Sequence, residues 1–520
     1  MDFRVQDHLD ELRSPAVYGA IGPVEVIQTH VSVVCLCGDT AFKFKKAVAL
    51  PFLDFSAVQL RETACRDELR LNRRLAPQVY RDVLPLLRTR DGLLIGPRDA
   101  TGPQVVDWAV VMRRLPADRM LDVLLARNAV DEAAIRALAR ILADFHRRQR
   151  QAADATVRAA GSSEHLLAFL RSNFEETRSL RGVLFDAELF DAVEHAAARA
   201  LPDLQDSLVR RAAAGAVIDG HGDFHARNVC MVEPPVIYDC LEFRNDLRCG
   251  DVAGDVAFMA MDLRHRGHRE LALVFVDEYL SVSGDDDLRC VLGELTRYRA
   301  MVRAKVDALG WRDAAMDEEQ HGRARAAARR HLRLCAYTLA EERGLRAVVA
   351  CGLPASGKSF ILESLAQETG WPIWSTDRLR KELLGVAPTD RLAPEAYAEQ
   401  TSEEVYAALR ERACSSTGPV ILDGNHGRRE HRDALRIALG GAVLFVWFRL
   451  EPAVAHARLR AREAQGDAVS DADVAVYERL RARFESPTVE EAALCVDGAS
   501  PRESCLDRIA TGLIARPTRP

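Results

Sequence analysis

Two stretches of the chain carry residue types at spacings suited to moving a phosphoryl group. The first is Gly352-Leu-Pro-Ala-Ser-Gly357-Lys358-Ser359. A phosphate chain needs several N–H donors converging on it, and Gly352 and Gly357 let the backbone come close. Lys358 is placed to reach the β- and γ-phosphates of ATP, and Ser359 to ligate Mg2+. By average composition this pattern arises by chance in about one chain in fifty of this length. An apolar strand before it (RAVVAC) and an amphipathic helix after it (SFILESLAQETG) lower that further. The helix would aim its positive end at the phosphates.

Three further pieces surround this loop. Asp423 ends the apolar run VILD, where an acid can hold the Mg2+ shell; a turn or helix-cap aspartate is the other reading. Asp377 and Arg380 stand i,i+3 in STDRLRKEL, on one helical face. Asp377 suits taking a hydroxyl proton and Arg380 suits clamping an anionic group on the same substrate. Their plainer reading is an N-cap and a solvated side chain. Arg458 and Arg462, four apart in HARLRAREAQGD, suit closing over a transferring phosphoryl group, or form an ordinary basic face.

The second stretch is His221-Gly-Asp223-Phe-His225-Ala-Arg-Asn228. H-x-D-x4-N is the spacing of a kinase catalytic loop. Asp223 would accept the acceptor's hydroxyl proton and Asn228 would ligate a metal. Asp239 follows the apolar run PPVIY, placed to bridge metal and phosphates. His221 reads as a loop-orienting histidine, and His225 has no assigned role. Asp251 and Asp255, four apart, read as braces for the loop, with a cationic substrate as the alternative. Upstream, Lys43 and Lys45 share a face of the strand FKFKK, and Lys46 points the other way. Glu62 and Glu68 lie on the following helix. A strand lysine held by a helix glutamate orients the α/β-phosphates. Lys43 with Glu68 is favoured, with Lys45 and Glu62 left open.

The last third of the chain, with its P-loop, Asp377-x-x-Arg380 and arginine-bearing segment, resembles the small P-loop kinases, polynucleotide kinase in particular. HGDFHARN and YDCLEF resemble the aminoglycoside phosphotransferase family, a branch of the protein-kinase-like fold, over residues 20 to 335. The combination looks like the bacterial fusions of these two domains. The resemblance implies an N-terminal bilobal kinase-like domain and a C-terminal doubly wound parallel sheet, α/β and α+β together. It implies two ATP·Mg2+ sites passing the γ-phosphoryl group to hydroxyls. Two departures stand out. No G-x-G-x-x-G loop exists, the first hairpin offering only Thr29-His30-Val31-Ser32, and Cys240-Leu241 follow the metal aspartate.

The elements that must position these residues are legible in the pattern. Residues 23 to 50 read as strands with a hairpin turn at Gly38-Asp39, residues 56 to 75 as a helix and 108 to 115 as a strand. Helical spacing runs from about Asp118 to Ala200 and resumes after a strand-and-loop region to about Glu342. From there, apolar strands at 347 to 351, 420 to 422, 442 to 448 and 493 to 496 alternate with helices, as in a parallel α/β sheet. The expected boundary is near Gly344. It divides a domain at 1–343 (small lobe 1–113, large lobe 114–343) from a P-loop domain at 344–520.

Composition narrows the setting. Of 520 residues, 48% are apolar and 28% charged, ordinary for a globular chain, and the net charge of −6 gives no global pull toward nucleic acid or anionic lipid. The longest apolar runs are strand-sized, well short of a membrane span. MDFRVQDHLDELRS lacks the apolar core of a signal peptide. The 12 cysteines include no CxxC pair, and Cys35 and Cys37 share a strand face, so reduced thiols in a cytoplasmic protein are expected. The expected function is a bifunctional ATP-dependent phosphotransferase. Its acceptors would be a small hydroxylated molecule at the first site, and a small molecule or nucleic-acid 5′-hydroxyl at the second. The alternative is a single catalytic P-loop domain joined to a nucleotide-binding or substrate-recruiting module.

Overall fold

The computed structural model describes residues 3–50, 53–313, 316–387, 390, 392, 394–465 and 473–516. The chain forms two compact units. One comprises Met1–Phe169, Asp203–Asp262 and Leu271–Leu295; the other comprises Leu170–Pro202, Leu263–Glu270 and Thr296–Pro520. This partition does not fall at Gly344: besides Leu170–Pro202 and Leu263–Glu270, the chain from Thr296 onward, with the helix Glu318–Glu342, clusters with the P-loop unit. Its buried side chains include Leu332, Cys335, Tyr337 and Ala340, and an apolar helix face settles on whichever surface buries it. Arg333 on that helix pairs with Glu368 and Asp507, from two helices of the same unit.

The first unit opens with β1 (Val24–Gln28), β2 (Ser32–Cys37), β3 (Thr40–Lys45), β4 (Tyr80–Thr89), β5 (Gly92–Ile95) and β6 (Val105–Arg113). They make one antiparallel sheet in the order β1-β2-β3-β6-β4-β5. Cys37 pairs with Thr40, so Gly38 and Asp39 form the hairpin, Gly38 at φ +55° where glycine costs least. Strand alternation sorts β3 by parity. Phe42 and Phe44 enter the core with Val33, Cys35 and Val111, while Ala41 joins Cys65 of the helix Val58–Asn72 in a second core. Lys43 and Lys45 share Ala41's parity and turn to that second face.

The helical part of this unit is anchored by Glu132–Ala152. Its N-cap Asp131 accepts from Ala134 N–H, and it buries Ile135, Leu138, Leu142 and Phe145. Two short ribbons, Val217–Asp219 with Cys249–Asp251 and Val229–Cys230 with Val236–Ile237, hold the loop segments between 220 and 242. The N-terminal fold is therefore bilobal and kinase-like, a β-rich lobe followed by a helical one.

The second unit centres on β7 (Ala347–Cys351), β8 (Ile373–Ser375), β9 (Val420–Asp423), β10 (Val443–Arg449) and β11 (Leu494–Asp497). All neighbours are parallel, in the order β8-β9-β7-β10-β11. Every residue of β7 is buried, as expected of a central strand covered on both faces. Ala347, Val349 and Cys351 pack with Leu379, Val405, Leu409 and Ala413 from the helices Thr376–Leu383 and Glu399–Ser415. Among the described residues no helix is long and apolar enough to cross a membrane. All 12 cysteines are free thiols.

Candidate active sites

In the first unit, Lys43 Nζ donates to Glu68 Oε1 at 2.9 Å and to Asp239 Oδ1 at 2.6 Å. Glu68 is fully buried on the inner face of its helix. Glu62 faces outward and accepts from Arg66 at 2.9 Å, so it does not reach either lysine. Lys45 is also buried. Its Nζ lies 2.6 Å from Glu68 Oε2 and also pairs with Glu242. Burial pushes the Glu68 carboxyl up, but Lys43 and Lys45 together hold it down, at about 2. Burial likewise opposes the Lys43 ammonium, and Asp239 and Glu68 keep it firmly charged.

Asp239 has φ +61°, a left-handed conformation that non-glycine residues seldom adopt. Its surroundings hold it there. Its N–H donates to Tyr80 Oη at 3.2 Å, and the next N–H, of Cys240, donates to Asn72 Oδ1 at 2.8 Å. Strain fixed in this way is characteristic of functional sites.

The loop of HGDFHARN is held from behind. Asp255 accepts from His221 N–H at 2.7 Å and Gly222 N–H at 2.9 Å, with His146 Nε2 at 3.3 Å. His221 is wholly buried. Its Nδ1 accepts from Asp223 N–H at 3.2 Å, which leaves Nε2–H to donate to Tyr238 C=O at 3.0 Å. Burial lowers the pKa of this ring, against the pull of the Asp255, Asp223 and Asp239 carboxylates around it. The same buried ring thus lies within the field of both Asp223 and Asp239. Asp223 Oδ2 accepts from Asn228 Nδ2 at 3.0 Å and lies 3.3 Å from His225 Nε2. His225, without a role in the sequence pattern, is thereby placed against the candidate base. Asp251 binds Arg211 through both oxygens, at 2.8 and 2.9 Å.

In the second unit, β7 runs into Gly352, and the helix Lys358–Thr369 starts directly after Gly357. Gly352 (φ +153°) has no room for a side chain: a Cβ would sit 2.8 Å from Phe448 O. Ala355 also takes a left-handed conformation, φ +63°. The tip of the loop is packed rather than open. Leu353 and Ala355 cluster with Ala455, Leu459 and Tyr477 of the helices Pro452–Gln465 and Val474–Arg483.

Arg458 donates to Ala355 O at 3.1 Å and Gly498 O at 3.0 Å. It straps the loop's backbone. Arg462 is exposed. Asp377 is exposed at the start of its helix, and Ser375, not Asp377, is the N-cap. Arg380 is buried and donates to Ala396 O at 2.8 Å, its guanidinium lying over the Tyr397 ring. The two share a helix but meet different surroundings.

Asp423 ends β9 and is buried; among the described residues its Oδ1 has no hydrogen-bond partner, and neither has the buried Ser356 Oγ. The residues after Asp423 reach the P-loop. Asn425 O accepts from Gly352 N–H at 3.0 Å, and His426 Nδ1 donates to Ala350 O at 2.7 Å. His426 is fully buried at φ +39°, and burial lowers its pKa to about 4, so it is neutral. Sequence reasoning missed His426, Glu242, Tyr80 and Gly498. The runs D-G-N-H and D-G-A-S, each at a strand's carboxyl end, are the signals that point to two of them.

Carboxylate, amide and hydroxyl oxygens are hard donors of the kind Mg2+ prefers. Among the described residues no group of three or more His, Cys, Asp or Glu is placed to hold a metal. Mg2+ is usually bound through one or two carboxylates together with substrate phosphates and water. The orphaned Asp423 oxygen fits this role.

Residues 55–293 match the Phosphotransferase enzyme family, and residues 348–487 match a family described as AAA domain. The uncharacterized protein Rv2004c of Mycobacterium tuberculosis (strain ATCC 25618 / H37Rv) is 30% identical over 440 residues, 83% of this chain and 84% of the relative. Among solved structures, a choline/ethanolamine kinase family protein from Mesorhizobium loti covers 64% of this chain and 98% of its own, at 14% identity and TM-score 0.38. A gluconokinase from Sinorhizobium meliloti 1021 covers 32% of this chain and 90% of its own, at 24% identity and TM-score 0.26. The likeness to the mycobacterial protein spans both units, and with the two matched domains it places this chain in the same family: an ATP-dependent phosphotransferase that joins a phosphotransferase-family domain to a P-loop domain.

Proposed function

We propose that both units pass the γ-phosphoryl group of ATP to a hydroxyl, so that the chain is bifunctional. The observation that carries this reading is Lys43, joined at once to Glu68 and Asp239. A P-loop alone would explain one site; this constellation asks for a second. At the first site Lys43 orients the α/β-phosphates, Asn228 and Asp239 hold Mg2+, and Asp223 takes the proton of a small hydroxylated acceptor. Mg2+ bound there neutralises the phosphate charge. The buried His221 and Asp255 keep the loop in shape.

At the second site the backbone of Gly352–Gly357 cradles the phosphates, with Lys358 beside them and Ser359 and Asp423 as Mg2+ ligands. Asp377 is the base, exposed where an acceptor can approach. Arg462 is available to the transferring group, and Arg458 keeps the loop closed. Arg380 binds the acceptor only by exchanging its carbonyl partner Ala396. The acceptor is a small molecule or a nucleic-acid 5′-hydroxyl.

The test is a screen of metabolites and 5′-hydroxyl oligonucleotides with labelled ATP, using Asp223→Ala and Lys358→Ala as controls. Two sets of acceptors, each lost with one variant, are expected. If Asp223→Ala leaves every transfer unchanged, the first unit is a binding module and only the P-loop unit is catalytic.

A further inference from the structure

The sequence offers Lys43 and Lys45 as alternatives, but their contacts place them in series. Glu68 faces both lysines: Oε1 accepts from Lys43 at 2.9 Å, and Oε2 lies 2.6 Å from Lys45 Nζ as an ion pair without hydrogen-bond geometry. Lys43 continues to Asp239, and Lys45 continues to Glu242. Asp239 and Glu242 belong to one short segment, so the chain of charges closes into a ring. It runs Asp239, Lys43, Glu68, Lys45, Glu242, and it joins β3, the helix Val58–Asn72 and the segment after the Val236–Ile237 strand.

The ring's two halves differ in exposure. Lys43 and Asp239 side chains keep 14% and 38% of their surface open, whereas Lys45, Glu68 and Glu242 keep 1%, 0% and 8%. The open half has the groups a nucleotide and its metal would engage. The closed half is shielded from solvent, and so from an incoming nucleotide. A buried carboxylate that lost its cation would be left uncompensated, which the interior tolerates poorly. Lys45 and Glu242 therefore have one evident task, which is to keep Glu68 and the Asp239 segment in place when ATP·Mg2+ draws Lys43 and Asp239 toward itself.

We propose that Lys45 and Glu242 are positioning residues of the first site: an inner ion pair that holds Glu68 and the Asp239 segment in register, so that Lys43 and Asp239 meet the phosphates and metal of ATP. This rests on the reading of the first unit as an ATP site. It predicts that removing either inner charge weakens ATP·Mg2+ binding although neither residue touches ATP.

The experiment measures ATP·Mg2+ binding by calorimetry in the full chain carrying Lys358→Ala, which silences the P-loop. Adding Lys43→Ala tests the underlying reading. If binding persists, the first unit is not the ATP site assumed here. Adding Lys45→Met or Glu242→Gln tests the proposal. Affinity should fall by roughly 10–100-fold, the range for residues that support ligating groups from behind. Circular dichroism should be unchanged, and Lys45→Arg, which keeps the charge, should recover part of the loss. Should Lys45→Met fail to fold, Glu242→Gln, which keeps the side chain's shape, decides alone. The proposal is overturned if Lys43→Ala abolishes binding while folded Lys45→Met and Glu242→Gln bind as tightly as their parent.

Discussion

In the first unit, the candidate chemistry depends on side chains brought from a strand, a helix and two loops: Lys43, Glu68, Asp223 and Asp239. In the second it depends on one short run of backbone, Gly352 to Ser359, shaped by what leans on it. Gly498 shows the contrast. A Cβ there would lie 2.1 Å from Ser356 O, so the loop is moulded against neighbouring main chain. The Lys43 ammonium is held instead by charges. A site made of side chains is exposed to single substitutions at many distant positions. A site made of backbone is sensitive chiefly to changes of shape.

Substitutions at the two chemical centres should separate the units most sharply. Asp223→Ala should lower transfer at the first site by about 10²–10⁴-fold, the usual weight of a general base, and leave the second site's rate intact. Lys358→Ala should do the reverse, costing the second site about 10²–10³-fold, the scale of one lost electrostatic donor. Steady-state rates with each site's acceptor read both. Equal loss at both sites from either variant would mean the two are not separate.

Shape-dependence in the second unit can be probed through pH. His426 is buried neutral, with its pKa depressed to about 4 against an ordinary value of 6.5. The unfolded chain binds that proton first, so the stability tied to neutral His426 is complete above pH 6.5. It is lost as pH falls toward 4, by up to about 3 kcal/mol. His426→Gln, compared with its parent in denaturant titrations across this window, should flatten that part of the profile. Gly498→Ala is expected to destabilise the unit by about 1–3 kcal/mol through overpacking, and to weaken ATP binding at the P-loop. The smallest effect belongs to Glu62→Ala. It removes an exposed i,i+4 pair with Arg66, worth at most about 0.5 kcal/mol, and should leave ATP binding unchanged.

Much of this was readable before any coordinates. The P-loop is contiguous, so its spacing alone announced it, and strand parity put Lys43 and Lys45 on one face. The ring that joins them was not readable, because it closes only when Glu242 folds back on β3, and sequence separation hides such contacts. The partners of Arg458 and Arg380 were hidden for a related reason. Helical spacing says which face a guanidinium leaves from, but not whether a carbonyl such as Ala355 O or Ala396 O is waiting for it. His426 was invisible because a buried histidine at φ +39° depends on the neighbouring strand's Ala350 for the contact of its ring Nδ1.

The helix Glu318–Glu342 has a consequence for how such a protein can be taken apart. Sequence pattern assigns it to the N-terminal domain, yet Arg333 and Tyr337 grip Glu368 at the far end of the helix that begins at the P-loop lysine. A gene cut at Gly344 would hand the P-loop unit a bare apolar flank and two carboxylates, Glu368 and Asp507, without their guanidinium. The unit that packs around the P-loop reaches back past this helix to Thr296, and takes in Leu170–Pro202 and Leu263–Glu270 as well. The same cut would also remove the helix's cap, Asp317, whose side chain accepts from Gln320 N–H at 2.7 Å.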